Sequence, residues 1–344
     1  MRRLFHSVVG LLIVLGGTWL PAPARACACG AVITNSDAAI DSETALIVRD
    51  GSHQRTDMVM HLDGEASEAA WIMPLPPGGT VSLGDKSLFE SLKELTKPRP
   101  TYELEFFPDD RAEGSQSLPS AAASDPQVRV VGIQTVGPFE VTTLEGNRAD
   151  AVTDWLVANG FPGRRDVEPT FQEYLDADWR VIAVRLTPGE ESSALAGGLD
   201  SLRLEFDSQE AIYPIKLSRH AKTRQGVKLY VLADHRMETQ GPTENAFDTR
   251  VKFAAKVPID TLNLGDGERF LTLIEGSFEP KQIVSDIQFT QATTDETNVP
   301  TYVVKLPIWQ AYPVALLVAA VVALSTWLLL RHRKRVQSHQ LGVR

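Results

Sequence analysis

The side chains with the widest chemical repertoire are sparse in this sequence. It has two cysteines, Cys27 and Cys29, separated by a single alanine. Thiols at that spacing support a disulfide, a redox couple, or half of a tetrahedral metal site. A Cys-x-Cys bridge closes a very small ring, so it departs from relaxed disulfide geometry and is comparatively reducible. No histidine or carboxylate cluster stands beside the pair to complete a zinc site, which favours a small structural staple. A thiol-based redox or metal sensor acting through Cys27 and Cys29 is the alternative use. Four of the seven histidines fall in the central part of the chain: His53, His61, His220 and His235. His53 and His61 have no third ligand at a recognisable spacing, so neither a metal nor a cofactor is expected. Asp234 and His235 form an adjacent acid–imidazole pair, but neighbours in a strand point to opposite faces.

Nucleophile elbows of the Gly-x-Ser-x-Gly type, His-Glu-x-x-His helices, phosphate-binding Gly-Lys-Ser/Thr loops and dinucleotide fingerprints do not occur in the sequence. Carboxylates are abundant, so a cell-envelope hydrolase using paired Asp and Glu is an alternative that the sequence leaves open. The most distinctive stretch of the body is Glu68-Ala-Ala-Trp71-Ile-Met-Pro74-Leu-Pro76-Pro-Gly-Gly79. Prolines cannot donate to a ladder and fit a sheet edge or exit. Trp71 with Pro74 and Pro76 reads either as a speculative apolar groove for a peptide or as a core tryptophan followed by a rigid turn.

The elements that must position these residues are mostly strands. Ala45–Val48 and Met58–Leu62 flank an Asp50-Gly51 turn, and further strands are expected at 101–107, 127–136, 139–144, 179–186, 202–206, 212–217, 227–232, 251–257, 270–274 and 283–289. Helices are expected after Asp85 (Leu88, Phe89, Leu92 and Leu95 on one face), after Asn147 (Val152, Trp155, Leu156) and over 170–176. Stretches 108–127 and 188–200 read as exposed loops. The fold class is therefore α+β and β-rich: an antiparallel, sandwich-like body with a few inserted helices, plus one C-terminal transmembrane helix. Met58-x-Met-x-Leu-Asp63 and Leu202-x-Leu-x-Phe-Asp207 echo each other faintly, which suggests two related lobes.

The C-terminal end places the protein. Residues 311–330 carry no charge and are long enough to cross a bilayer, with Trp309, Tyr312 and Trp327 at the ends and Arg331-His-Arg-Lys-Arg335 immediately after. At the other end, Met1-Arg2-Arg3, an apolar run and a small-x-small site at Ala24 and Ala26 form a secretory signal with cleavage before Cys27. A lipoprotein signal is the competing reading, but Ala24 and Arg25 fit it poorly. The expected organisation is a signal peptide over 1–26, an extracytoplasmic β-rich domain over 27–300, a membrane-proximal segment over 301–310, a transmembrane helix over 311–330, and a basic cytoplasmic tail over 331–344. The membrane is then the cytoplasmic one, crossed once, with the body outside.

Charge is unevenly placed. The chain has 34 basic residues, of which three lie in 1–26 and five in 331–344; the remaining 26 face all 44 acidic ones, a net of −18 for the body. A nucleic-acid partner is thereby disfavoured. The expected partners are the lipid bilayer through residues 311–330 and an envelope protein or peptide.

Taken together, several segments resemble the family known as domain of unknown function 2330. They are Cys27 to Gly30, Ala-Trp71-Ile-Met-Pro-Leu-Pro76, the leucine-rich helix ending at Thr96-Lys-Pro98, Val136-Gly-Pro-Phe-Glu-Val141, Asp154-Trp-Leu156 with Asn159-Gly-Phe161, Val181-Ile-Ala-Val-Arg-Leu-Thr-Pro-Gly189 and Ile212-Tyr-Pro-Ile215. The resemblance covers most of residues 27–235. It implies an exported bacterial protein, commonly with a C-terminal membrane anchor, and supplies no activity or catalytic residue. The combined reading is a membrane-anchored interaction or ligand-binding module of the cell envelope.

Overall fold

The computed structural model describes residues 25–27, 30–34, 36, 39–105, 129–136, 139–146, 148–188, 195–221, 224–245, 248–307 and 312–341. Two sheets face each other across one apolar core. The first has six antiparallel strands: β1 (Arg25–Cys27), β2 (Gly30–Thr34), β5 (Ala69–Leu75), β10 (Arg180–Leu186), β9 (Phe139–Glu145) and β8 (Arg129–Val136), in that order. The second runs β16 (Thr249–Pro258), β17 (Glu268–Phe278), β14 (Gln225–Ala233), β3 (Ala39–Asp50), β4 (His53–Ala66), β12 (Leu202–Asp207) and β6 (Thr80–Leu83). A short strand, β11 (Leu195–Gly198), also pairs with β4, inside a stretch expected to be loop. All pairings in these two sheets are antiparallel except β3 with β14.

Strand alternation builds the layers. In β5, Trp71 and Met73 enter the core between the sheets while Ala70 and Ile72 face the other way; in β10, Ile182 and Val184 take the first role and Val181 and Ala183 the second. The outward residues of the six-stranded sheet are covered by α2 (Ala149–Ala158) and α3 (Glu168–Leu175) through Val152, Leu156, Phe171, Tyr174 and Leu175. The outward residues of the eight-stranded sheet, among them Leu46, Tyr230, Leu232, Leu271 and Leu273, meet Leu88 and Leu92 of α1 (Ser87–Leu95) and Leu262. Each of these fully buried large side chains contributes roughly 1.5–3 kcal/mol. The result is a β-sandwich with helices on both outer faces.

Local chemistry explains the ends of the elements. Gly51 takes φ 57° between β3 and β4, with Asp50 opposite His53. The Asp85 carboxylate accepts the Ser87 N–H at 2.8 Å and its hydroxyl at 2.6 Å, starting α1 as expected. Asn147, the expected cap of α2, lies outside the described residues, as does the loop over 108–127. The expected strand over 212–217 is cut short. β13 (Ala211–Tyr213) ends before Pro214, and the chain turns into a 3-10 helix over Lys216–His220. β13, β18 (Ile287–Gln291) and β15 (Met237–Gln240) form a small third sheet. The two stretches that echo each other in sequence lie in β4 and β12. Leu202 of β12 pairs with Met58 of β4, so they are neighbours in one sheet.

The segment leading to the C-terminal helix is stitched to the body. Asn298 bridges Ala254 through paired backbone hydrogen bonds, and β19 (Thr301–Pro307) pairs in parallel with β7 (Arg99–Glu105). The segment expected to be a plain membrane-proximal connector is thus a strand of a two-stranded ribbon. Helix α4 (Tyr312–Leu341) follows. Its stretch Val314–His332 has a mean hydropathy of 2.2 and is long and apolar enough to cross a membrane. The side chains described over Val314–His332 are exposed, and the helix runs on through the basic cluster.

Candidate functional site

The residues singled out by type are placed as follows. Cys27 closes β1, with its backbone opposite Gly30; Cys29 lies outside the described residues. Trp71, Pro74 and Pro76 are buried, and Trp71, 1% exposed, stands inside the inter-sheet core rather than along an open surface. Pro74 lies beyond the β2–β5 ladder, which ends at Ile72, and its other neighbour is Val181 of β10. That is how a central strand accommodates a residue without an N–H.

The histidines are dispersed. His53 and His61 sit on one strand eight residues apart, roughly 26 Å at ~3.3 Å per residue, too far to share an ion. His53 Nδ1 lies 3.2 Å from Asp207, and His235 Nδ1 lies 2.9 Å from Asp295. Asp295 also accepts the Arg236 N–H, and these bonds hold its carboxyl below the usual range. Asp234 turns away and takes Arg269 at 2.9 Å instead, so the adjacent Asp234 and His235 do not act on each other. Among the described residues no group of three His, Cys, Asp or Glu stands close enough to hold a metal.

Two polar clusters emerge that neighbouring sequence does not reveal. The first is internal. Asp286, 8% exposed, accepts at one oxygen the Tyr174 hydroxyl at 2.6 Å and the backbone N–H groups of Ile215 and Lys216 at 2.8 and 3.0 Å. It thereby caps the Lys216–His220 turn and ties it to α3. Burial raises its carboxyl above the ordinary value, against the pull of these donors and the Lys216 ammonium. Lys216 lies over the Tyr174 ring at 4.3 Å and reaches Glu173 at 3.2 Å. Next along the turn, His220 Nε2 is 2.7 Å from the Thr170 hydroxyl, and burial lowers its basicity. Arg164, 1% exposed, binds Asp166 through Nε and Nη2 and reaches the His220 carbonyl. Asp286, Lys216, Glu173 and Arg164 each have a partner here, with Arg164 Nη1 left buried and unpaired among the described residues, and this is the chemistry of a structural hub.

The second cluster is open. Beyond the area of the eight-stranded sheet covered by α1, a cleft of about 410 Å³ is lined by Arg224, Asp248, Arg250, Lys252, Glu275, Gly276 and Ser277. Strand geometry assembles it. Leu271 and Leu273 of β17 face α1, so Glu275 and Ser277 continue the same outward face past the end of the cover. Arg250 of the edge strand β16 is opposite Glu275, and Lys228 of β14 is opposite it on the other side. The β16–β17 register slips between Val251 and Phe253, and this bulge brings Lys252 to the cleft beside Arg250. Arg224 is fixed by the Ser277 carbonyl at 3.1 Å and by Glu279 at 2.9 Å. Asp248 accepts the Thr243 hydroxyl at 2.5 Å, and Lys252 stands 3.6 Å from Glu275. Arg250 is exposed and has no ion-pair partner among the described residues.

A family model for bacterial proteins, "Uncharacterized protein conserved in bacteria (DUF2330)", matches residues 23–290. The chain belongs to this family. The match takes in both sheets, the internal hub and the whole cleft, and it stops before β19 and the apolar helix. The DUF2330 region is therefore the β-rich body. No curated protein matches the chain. Among solved structures, baculovirus P35 aligns at 10% identity over 76% of this chain and 97% of that one, with a TM-score of 0.26; a likeness that slight carries no argument.

Proposed function

We propose that this DUF2330 protein is a membrane-tethered, extracytoplasmic binding module of the bacterial cell envelope, with the cleft at Arg224, Arg250 and Lys252 as its ligand site. One observation carries the reading: the body presents an open, charged cleft on a rigid sheet while its other described buried ionic groups are engaged internally. Rigid sheet positions suit a preorganised binding site. A helix able to span a bilayer then fixes the body at a surface. The charge pattern at the two ends supports the orientation. The N-terminal Arg2-Arg3 and apolar run have the form of an export signal, and Arg331 to Arg335 form a cytoplasmic stop.

Site-specific photo-crosslinking in intact cells tests this. A photoreactive residue at Ser277, within the cleft, is expected to give an adduct with an envelope component in spheroplasts. The same residue at Glu94, on the exposed side of α1, is expected to give none. External protease should remove the body and spare a C-terminal tag. Equal crosslinking at both positions, or loss of the tag, overturns the proposal.

A further inference from the structure

The chemistry lining the cleft narrows the ligand, given that the cleft is the binding site. Three cations line it and two carboxylates, so it is a locally basic spot on a body that carries a net −18 from 26 basic and 44 acidic residues. An anion repelled elsewhere on this surface is attracted here, which is how an acidic protein can select for position. The cations are unequally available. Arg224 already spends Nη1 on the Ser277 carbonyl and hydroxyl and its other nitrogens on Glu279. Lys252 leans toward Glu275, while the Arg250 guanidinium stands in the cleft with no ion-pair partner among the described residues. A planar guanidinium in that position favours a bidentate oxyanion.

The two carboxylates add a second requirement. Ionised Asp248 and Glu275 only accept hydrogen bonds, and among the described residues the Asp248 carboxylate has the Thr243 hydroxyl and a long contact from Asn245 at 3.4 Å. A bare polyanion would meet repulsion from them, whereas hydroxyl groups on the same ligand would donate to them. Lys228, opposite Glu275 on β14, extends the cationic row along the sheet. We infer that the cleft at Arg224, Arg250 and Lys252 binds a hydroxylated phosphate ester: the phosphate on Arg250 and Lys252, the hydroxyls on Glu275 and Asp248. Glycerol phosphate, a small ester with two free hydroxyls, belongs to this class, and it occurs both as a soluble unit and as the headgroup of an anionic phospholipid.

The test uses the full-length chain in phosphatidylcholine nanodiscs, titrated with glycerol 3-phosphate and separately with inorganic phosphate. Glycerol 3-phosphate is expected to bind more tightly than inorganic phosphate and to weaken as salt rises. Arg250→Glu should weaken it by about tenfold or more, and Arg250→Gln by less. Arg148→Glu, an exposed arginine outside the cleft, should leave it unchanged. Glu275→Gln should erase the preference for the ester over inorganic phosphate. Nanodiscs containing phosphatidylglycerol distinguish the sources: competition with the soluble ester identifies the lipid headgroup, and its absence identifies a soluble or polymer-borne ester. No saturable binding of the ester, or binding indifferent to both Arg250 variants, overturns the inference. Such a result leaves the crosslinking test at Ser277 to decide separately whether the cleft binds something else.

Discussion

The two polar clusters use the same residue types for opposite ends. Around Asp286, three donors converge on one carboxylate oxygen, and Lys216, Glu173 and Arg219 extend the network. Around Glu275, the partners stand at longer range and solvent reaches them. The internal cluster joins elements far apart in the chain: α3, the turn after β13 and the approach to β18. The open one sits on three strands already fixed by the sheet. A charge that holds the fold must be paid for by partners when water is removed; a charge left for a ligand must keep its partner vacant. The difference in burial, rather than in residue type, separates the roles.

Removing Asp286 should have the largest effect. Asp286→Ala leaves the Tyr174 hydroxyl and two backbone N–H groups without an acceptor, and denaturation of the full-length protein in detergent should show a loss of about 3 kcal/mol. Asp286→Asn keeps an acceptor oxygen and removes a charge that burial disfavours, so it should cost much less. Equal losses for the two variants would show that the cluster depends on the charge itself.

A smaller, pH-dependent effect belongs to His220. Burial lowers its folded-state pKa below the ordinary 6.5. The unfolded chain therefore takes up a proton that the folded one resists, so the contribution is complete above 6.5 and is lost as pH falls toward the folded value. Chemical denaturation followed from about pH 8 down to about pH 5 should show this decline, and His220→Gln should flatten it. An unchanged slope in the variant would assign the decline elsewhere.

The smallest effect is expected at the cleft. Arg250→Ala should change stability by no more than about 0.5 kcal/mol, because an exposed charge without an ion-pair partner contributes little to folding. A larger loss by the same denaturation measurement would make Arg250 a structural residue like those of the hub.

Sequence alone determined what depends on short-range pattern. The alternation of apolar residues marked most strands of both sheets, the Asp50-Gly51 turn and the Asp85 cap marked element ends, and the uncharged run after Ala311 marked a helix fit for a bilayer. Each of these is set by chemistry within a few residues. Even the cleft left a trace, since Lys252 stands between Val251 and Phe253 in the strand expected over 251–257. Tertiary structure decided the rest. Whether Trp71 lines a groove or fills a core depends on the sheet packed over it, and the facing sheet buries it. Whether 212–217 continues as a strand depends on Asp286, about seventy residues later, which caps the turn. Arg224, Arg250 and Glu275 meet only because β14, β17 and β16 are adjacent in the sheet and a bulge re-aims one side chain. Strand order and register are long-range choices, made by the fit of whole faces, and no local pattern in the chain encodes them.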